Sequence, residues 1–90
     1  MVANFLNGAR KHTGIEMNVT IKLVGPFRIG RFKAEVREYP SATCVRQVVD
    51  ELRIPNSLLG IVLINDMHAG IEDVLNQGDT LCLLPFIDGG

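Results

Sequence analysis

The chain has 90 residues, 47% of them hydrophobic, with nine Lys or Arg against ten Asp or Glu for a formal net charge of −1. That length makes one domain with one modest core, and the near-balanced charge leaves no electrostatic footprint for nucleic acid. No apolar run approaches a membrane span, and two cysteines, Cys44 and Cys82, are too few for a disulfide framework, so buried free thiols in a cytoplasmic protein are expected.

The first sixteen residues show no sustained period. They are polar, broken by Gly8 and Gly14, and lack a signal-peptide pattern. Residues 1–16 are expected to form a loosely ordered extension, with the compact domain starting near Met17. Val19, Ile21 and Leu23 then alternate with Asn18, Thr20 and Lys22, the pattern of a half-buried strand. Gly25-Pro26 breaks it and Gly30 supplies a second turn signal. Phe32, Ala34 and Val36 alternate with Lys33, Glu35 and Arg37, which predicts a second strand and a hairpin that ends at Pro40-Ser41.

Ser41 or Thr43 can cap a following helix. Val45, Val48, Val49 and Leu52 form one apolar stripe at helical spacing, and Pro55 stops it. Ile61-Val62-Leu63-Ile64 predicts a buried strand, Asn65-Asp66 a turn, and Met67-His68-Ala69 a short edge strand. Gly70 to Asp79 is a connection anchored by Val74 and Leu75, with a tight turn at Gly78-Asp79. Thr80 to Leu84 is the last strand, and Pro85 ends its pairing.

One helix covers one face of such a sheet, so the expected architecture is two-layer α+β. The last strand is apolar on both sides, Leu81 and Leu83 on one and Cys82 and Leu84 on the other. One of these pairs must point away from the helix, and an apolar patch there marks a protein partner. Beyond Pro85, Phe86 and Ile87 are apolar. They either pack back onto the domain or dock a partner, and Pro85 directing the chain off the sheet favours docking. The chain then closes on Asp88-Gly89-Gly90. Two terminal glycines arise by chance in roughly 0.5% of chains of average composition. A tail without side chains is thin enough for a narrow channel and presents a free carboxylate at its end.

Other polar residues carry weaker signals. His12 and His68 lack a second ligand at metal-binding spacing and are expected on the surface, and no metal site is expected. Cys44, near a helix start, is expected to be a core or cap-proximal thiol in preference to a stabilised thiolate. Glu72, Asp73 and Asp79 are explained by a solvated loop. Arg28, Arg31 and Lys33 make a small basic group in the hairpin connection. No nucleophile, base and oxyanion donor can be assembled from these residues, so the chain is not expected to be an enzyme by itself.

Three stretches resemble the small sulfur carriers of the MoaD/ThiS family, which includes the molybdopterin synthase small subunit and the thiamine-pathway carrier. Ile61-Val62-Leu63-Ile64-Asn65 is similar to the family's strand ending in Val-Asn. Leu75-Asn76-Gln77-Gly78-Asp79-Thr80-Leu81 resembles its Leu-x-x-Gly-Asp turn. Leu83-Leu84-Pro85-Phe86-Ile87-Asp88-Gly89-Gly90 resembles its apolar-Pro-x-x-x-Gly-Gly tail. The resemblance implies a ubiquitin-like β-grasp domain over residues 17–87, with a mixed four- to five-stranded sheet and one main helix on one face, and a flexible tail at 88–90.

It also implies a role. In this family the terminal carboxylate, here that of Gly90 with Gly89 before it, is adenylated and converted to a thiocarboxylate that delivers sulfur for molybdopterin synthesis. Leu84, Pro85, Phe86, Ile87 and Asp88 would bind the partners: an E1-like adenylating enzyme (MoeB/ThiF-like) and a recipient similar to the molybdopterin synthase large subunit. No cofactor would be held stably, ATP being used by the activating partner. The tail departs from the molybdopterin type in having Phe86 where a second proline is common, and Asp88 where small apolar residues usually precede the glycines. That leaves the recipient open. Delivery to thiazole or amino-acid synthesis, a ubiquitin-like modifier or interaction module, and a purely structural module are the alternatives.

Overall fold

A computed structural model describes residues 16–86. Among them are five strands and one helix: β1 (Glu16–Leu23), β2 (Ala34–Pro40), α1 (Val45–Glu51), β3 (Leu59–Ile64), β4 (Met67–Ala69) and β5 (Thr80–Pro85). The strands form one mixed sheet in the order β2-β1-β5-β3-β4. β1 runs parallel to β5, and every other neighbouring pair is antiparallel. The expected two-layer α+β arrangement is present.

Period-two alternation places Met17, Val19, Ile21 and Leu23 of β1 on the covered face, where they are buried. Leu81 and Leu83 of β5 lie beside them in register with Ile21 and Leu23. Above this layer sits α1, whose Val45, Val48 and Val49 are fully buried. Each such side chain contributes about 1.5–3 kcal/mol of burial free energy. Phe27, Ile54 and Leu75 close the core from the connections.

The helix starts one residue later than a Thr43 cap would place it. Cys44 is the N-cap, in an extended conformation, and its N–H donates to Gln47 Oε1 at 2.9 Å. Thr43 instead donates its hydroxyl to Pro40 O at 2.7 Å, tying the end of β2 to the turn. At the far end, the Arg31 guanidinium donates to the carbonyls of Leu52 (2.8 Å), Phe27 (3.1 Å) and Arg53 (3.0 Å). A cation there satisfies carbonyls that the helix leaves open and complements its dipole. Arg31 is therefore a brace within the fold, not part of a basic surface group.

Two strands differ from expectation. In β2 the apolar residues Ala34 and Val36 lie on the sheet's open face, because Met17 pairs with Tyr39 and Val19 with Arg37. The covered side of this edge strand carries Tyr39, Arg37 and Glu35. Tyr39 is buried and donates to Glu51 Oε1 at 2.8 Å. Burial foremost, and then the Glu51 carboxylate, holds its phenol above the usual range. Arg37 sits 3.1 Å from Glu35 and 3.7 Å from Glu51, over the Phe32 ring. In β3 only Val62 is buried, while Ile61 is 41% exposed, so the continuous apolar run is half-buried. Among the described residues no element layers over its second face.

The connection before β5 is a clamp. Asp79 is buried, accepts from the Asn65 amide at 2.9 Å and from the Asn76 N–H at 2.8 Å. Asn65 in turn accepts from Thr80 N at 2.9 Å. A solvated loop thus describes Asp79 wrongly: its carboxylate is spent on joining two turns. Asp73 accepts from Gly70 N at 2.8 Å, and Glu72 pairs with Arg46.

Candidate functional site at the end of the last strand

β5 is the central strand, bonded to β1 on one side and β3 on the other. A strand in this position is covered by neighbours along both edges, so its apolar run on both faces needs no charged edge to protect it. Leu81 and Leu83 are fully buried under α1, which leaves Cys82 and Leu84 as the pair pointing away from the helix. Both are half-buried.

Register builds the open face row by row. Cys82 has Leu63 beside it on β3 and Lys22 on β1, with His68 beyond Leu63 and Ala34 beyond Lys22. Leu84 has Ile61 beside it. Thr80 and Thr20 lead across to Val36, which is 65% exposed. The result is an apolar centre running toward Phe86, itself 66% exposed. A groove of about 240 Å³ at one corner is lined by Lys22, Arg28, Lys33 and Cys82. Arg28 is held there by donating to Leu23 O at 2.9 Å. Burial pushes the Cys82 thiol up, against the opposing influence of Lys22. It is a packed thiol and not an activated one.

The exit from β5 is built by backbone contacts. Pro85 pairs with Leu59, and because the pairing shifts between Leu59 and Ile61, Gly60 has no partner opposite it. This is a β-bulge. Phe86 N–H then donates to Leu58 O at 2.6 Å. The Pro85-Phe86 segment runs between two grooves. One, about 350 Å³, is lined by Gly60, Ile61, Leu84, Pro85 and Phe86. The other, about 230 Å³, includes Phe27, Leu58 and Phe86 in its walls.

Of the residues singled out from sequence, Leu84, Pro85 and Phe86 form one surface here. Ile87, Asp88, Gly89 and Gly90 lie outside the described residues, as does His12. Ile61, Leu58 and Gly60 were not among the expected site residues. A glycine opening an apolar strand was the available signal, since glycine in strands often marks a bulge or a close backbone approach. Among the described residues no group of His, Cys, Asp or Glu could hold a metal ion, and no helix is long and apolar enough to cross a membrane.

Known proteins show where this architecture occurs. No protein-family model matches the chain, and no curated protein does. Solved structures do. The solution structure of the Haloferax volcanii HVO 2177 protein aligns with TM-score 0.72 and 18% identity over 100% of both chains. Small archaeal modifier protein 1 of H. volcanii aligns at 0.64 and 18%, over 79% of this chain and 99% of its own. A complex of subunits 1 and 2 of molybdopterin-converting factor from Helicobacter pylori aligns at 0.58 and 22%, over 82% of this chain and 100% of the matched chain. The chain has a ubiquitin-like β-grasp fold. That is the fold the sequence resemblance implied. In this β-grasp α1 grips one face of the sheet, and the end of β5 lies at the margin of the other.

Proposed function

We propose that this β-grasp domain is a sulfur carrier acting in molybdopterin synthesis. Its working group is the Gly90 carboxylate. A carboxylate oxygen attacks the α-phosphorus of ATP on an adenylating partner, pyrophosphate leaves, and an acyl-adenylate forms. A hydrosulfide-level sulfur then attacks the carbonyl carbon and AMP departs with the oxygen, leaving a thiocarboxylate and a proton. No change in oxidation state is needed. The chain itself holds no cofactor in this scheme; it supplies the carboxylate, the tether and the docking surface.

The observation that carries this reading is the juxtaposition at the end of β5. An apolar sheet face that no described element covers leads through Leu84 and Pro85 to an exposed Phe86, and the sequence from there is Ile87-Asp88-Gly89-Gly90. Leu84, Phe86 and Ile87 would dock the partner, with Ile61 beside them, and Pro85 would direct the chain off the sheet. Glycines 89 and 90 would thread the partner's channel. Asp88 would meet an arginine or lysine at its mouth, since a carboxylate in an apolar channel is costly without a charge-assisted bond. The structural likeness to a molybdopterin-converting factor subunit that forms a complex with a second subunit supports a synthase-type recipient. An E1-like adenylating enzyme would be the first partner.

The test is intact mass after incubation with ATP, hydrosulfide and the adenylating enzyme of the source organism. One oxygen should be replaced by sulfur, confined to the peptide ending in Gly90. Adding one residue after Gly90 should abolish the exchange and leave the unfolding midpoint unchanged. An extended chain that still gains sulfur without being trimmed defeats the proposal. A second reading, a ubiquitin-like modifier, is favoured by the likeness to small archaeal modifier protein 1. It requires an amide between Gly90 and a lysine of another protein, with no sulfur gained.

A further inference from the structure

Gly60 is an exposed strand residue with nothing opposite it, and glycine in a strand costs about 0.5–1 kcal/mol relative to alanine. Its backbone conformation does not demand glycine, as it does at Gly25, Gly30 and Gly78, where φ is positive. Space demands it. A Cβ at position 60 would lie 2.6 Å from Phe86 Cα, 2.7 Å from Phe86 N and 2.8 Å from Pro85 O. All three are backbone atoms, so no side-chain rotation relieves the overlap. Ordinary contact starts at 3.4 Å, and the Pro85-Phe86 backbone would have to retreat by about 0.8 Å. That retreat would lengthen and weaken the 2.6 Å bond from the Phe86 N–H to Leu58 O.

We infer that Gly60 is a positioning residue that sets the path on which the chain leaves the sheet toward Gly90. The inference rests on the carrier reading for its consequence, and on geometry alone for its mechanism. The bulge lets the Phe86 backbone lie against β3, and the Leu58 carbonyl locks it there. Together they convert the end of β5 from a frayed strand into a fixed point of departure four residues before the reacting carboxylate. Displacing that point moves the carboxylate relative to a rigid channel, and misplacement of a reacting group by an ångström costs up to about 10²-fold in rate. Binding of the sheet face, built from Leu84 and Ile61, would be left nearly intact.

The experiment compares wild type, Gly60→Ala and, as a control, Gly70→Ala, whose added Cβ meets nothing within 4 Å. Amide hydrogen exchange reads the geometry. The Phe86 amide should be protected in wild type and in Gly70→Ala, and should lose protection in Gly60→Ala while Leu81 and Leu83 keep theirs. ATP–pyrophosphate exchange with the adenylating enzyme reads the consequence. In Gly60→Ala, kcat should fall about tenfold or more and KM should stay within about twofold. A kcat equal to wild type overturns the inference, as does an effect confined to KM. If Gly60→Ala does not fold, the wild-type Phe86 amide decides: one that exchanges freely means no fixed departure point exists. A wild-type chain that is never adenylated overturns the carrier reading instead, and the exchange pattern then still decides whether Gly60 sets the path.

Discussion

The two faces of the β-grasp sheet both carry apolar side chains and differ in how deeply those are buried. On the covered face Val19, Ile21, Leu81 and Leu83 are fully buried beneath the three valines of α1. On the open face Cys82 and Leu84 are half-buried, and Ile61, Val36 and Phe86 are exposed. A seven-residue helix covers only one layer. The apolar surface on the other side contributes less to folding, and on the proposed reading it is where a partner would dock. Alternate residues of one strand are thus divided between the core and the open face.

Paired substitutions within β5 break this comparison most directly. Leu83→Ala should destabilise the domain by about 2–5 kcal/mol, the range for large-to-small changes in a close-packed core. Leu84→Ala, one residue on, should cost less than about 1 kcal/mol, because its side chain is already partly in water. Urea unfolding of both variants reads the difference, and equal losses would mean that the open face is part of the core.

Binding should show the opposite asymmetry. Phe86→Asp is expected to weaken association with the adenylating partner by about tenfold or more, the scale of an aromatic anchor at an interface centre. Its unfolding free energy should stay within about 0.5 kcal/mol of wild type, because the Phe86 ring is largely exposed and its fold contact is made by the backbone. Calorimetric titration and chemical unfolding together decide the matter. Loss of folding would place Phe86 in the core and remove it from the docking surface.

A smaller effect sharpens the covered side at its edge. Tyr39 is buried and bonded to Glu51, and its folded-state phenol ionises above the usual range. Below pH 10 the phenol is neutral in both states and its contribution is complete. Above pH 10 the unfolded chain releases this proton and the folded chain keeps it, so stability falls by up to about 1.4 kcal/mol per pH unit from this group. Tyr39→Phe should flatten that alkaline limb in a pH series of unfolding midpoints. An unchanged slope would mean that the phenol is not held neutral by the fold.

Local patterns in the chain were enough to place every strand and the helix among the described residues within about three residues, because period and breakers act over neighbouring residues. Val45, Val48 and Val49 declared their stripe, Pro55 its end, and Asn65-Asp66 the turn, which adopts positive φ at both positions. That Leu84, Pro85 and Phe86 lie together at the end of the last strand was legible for the same reason: apolar alternation, a proline, and a large side chain beyond the strand. What tertiary structure alone decided was everything that depends on a distant partner. Alternation says that β5 has two apolar faces, but only α1 packed on Leu81 and Leu83 assigns the outward one. The pairing of Met17 with Tyr39 turned Val36 outward, and Asn65, fourteen residues from Asp79, turned a loop carboxylate into a buried clamp. Gly60 shows the limit most plainly. Its need to be glycine comes from the backbone at Pro85 and Phe86, more than twenty residues away along the chain and 2.6 to 2.8 Å away from its missing Cβ. No periodicity records such a contact, because it exists only when two segments meet in the folded sheet.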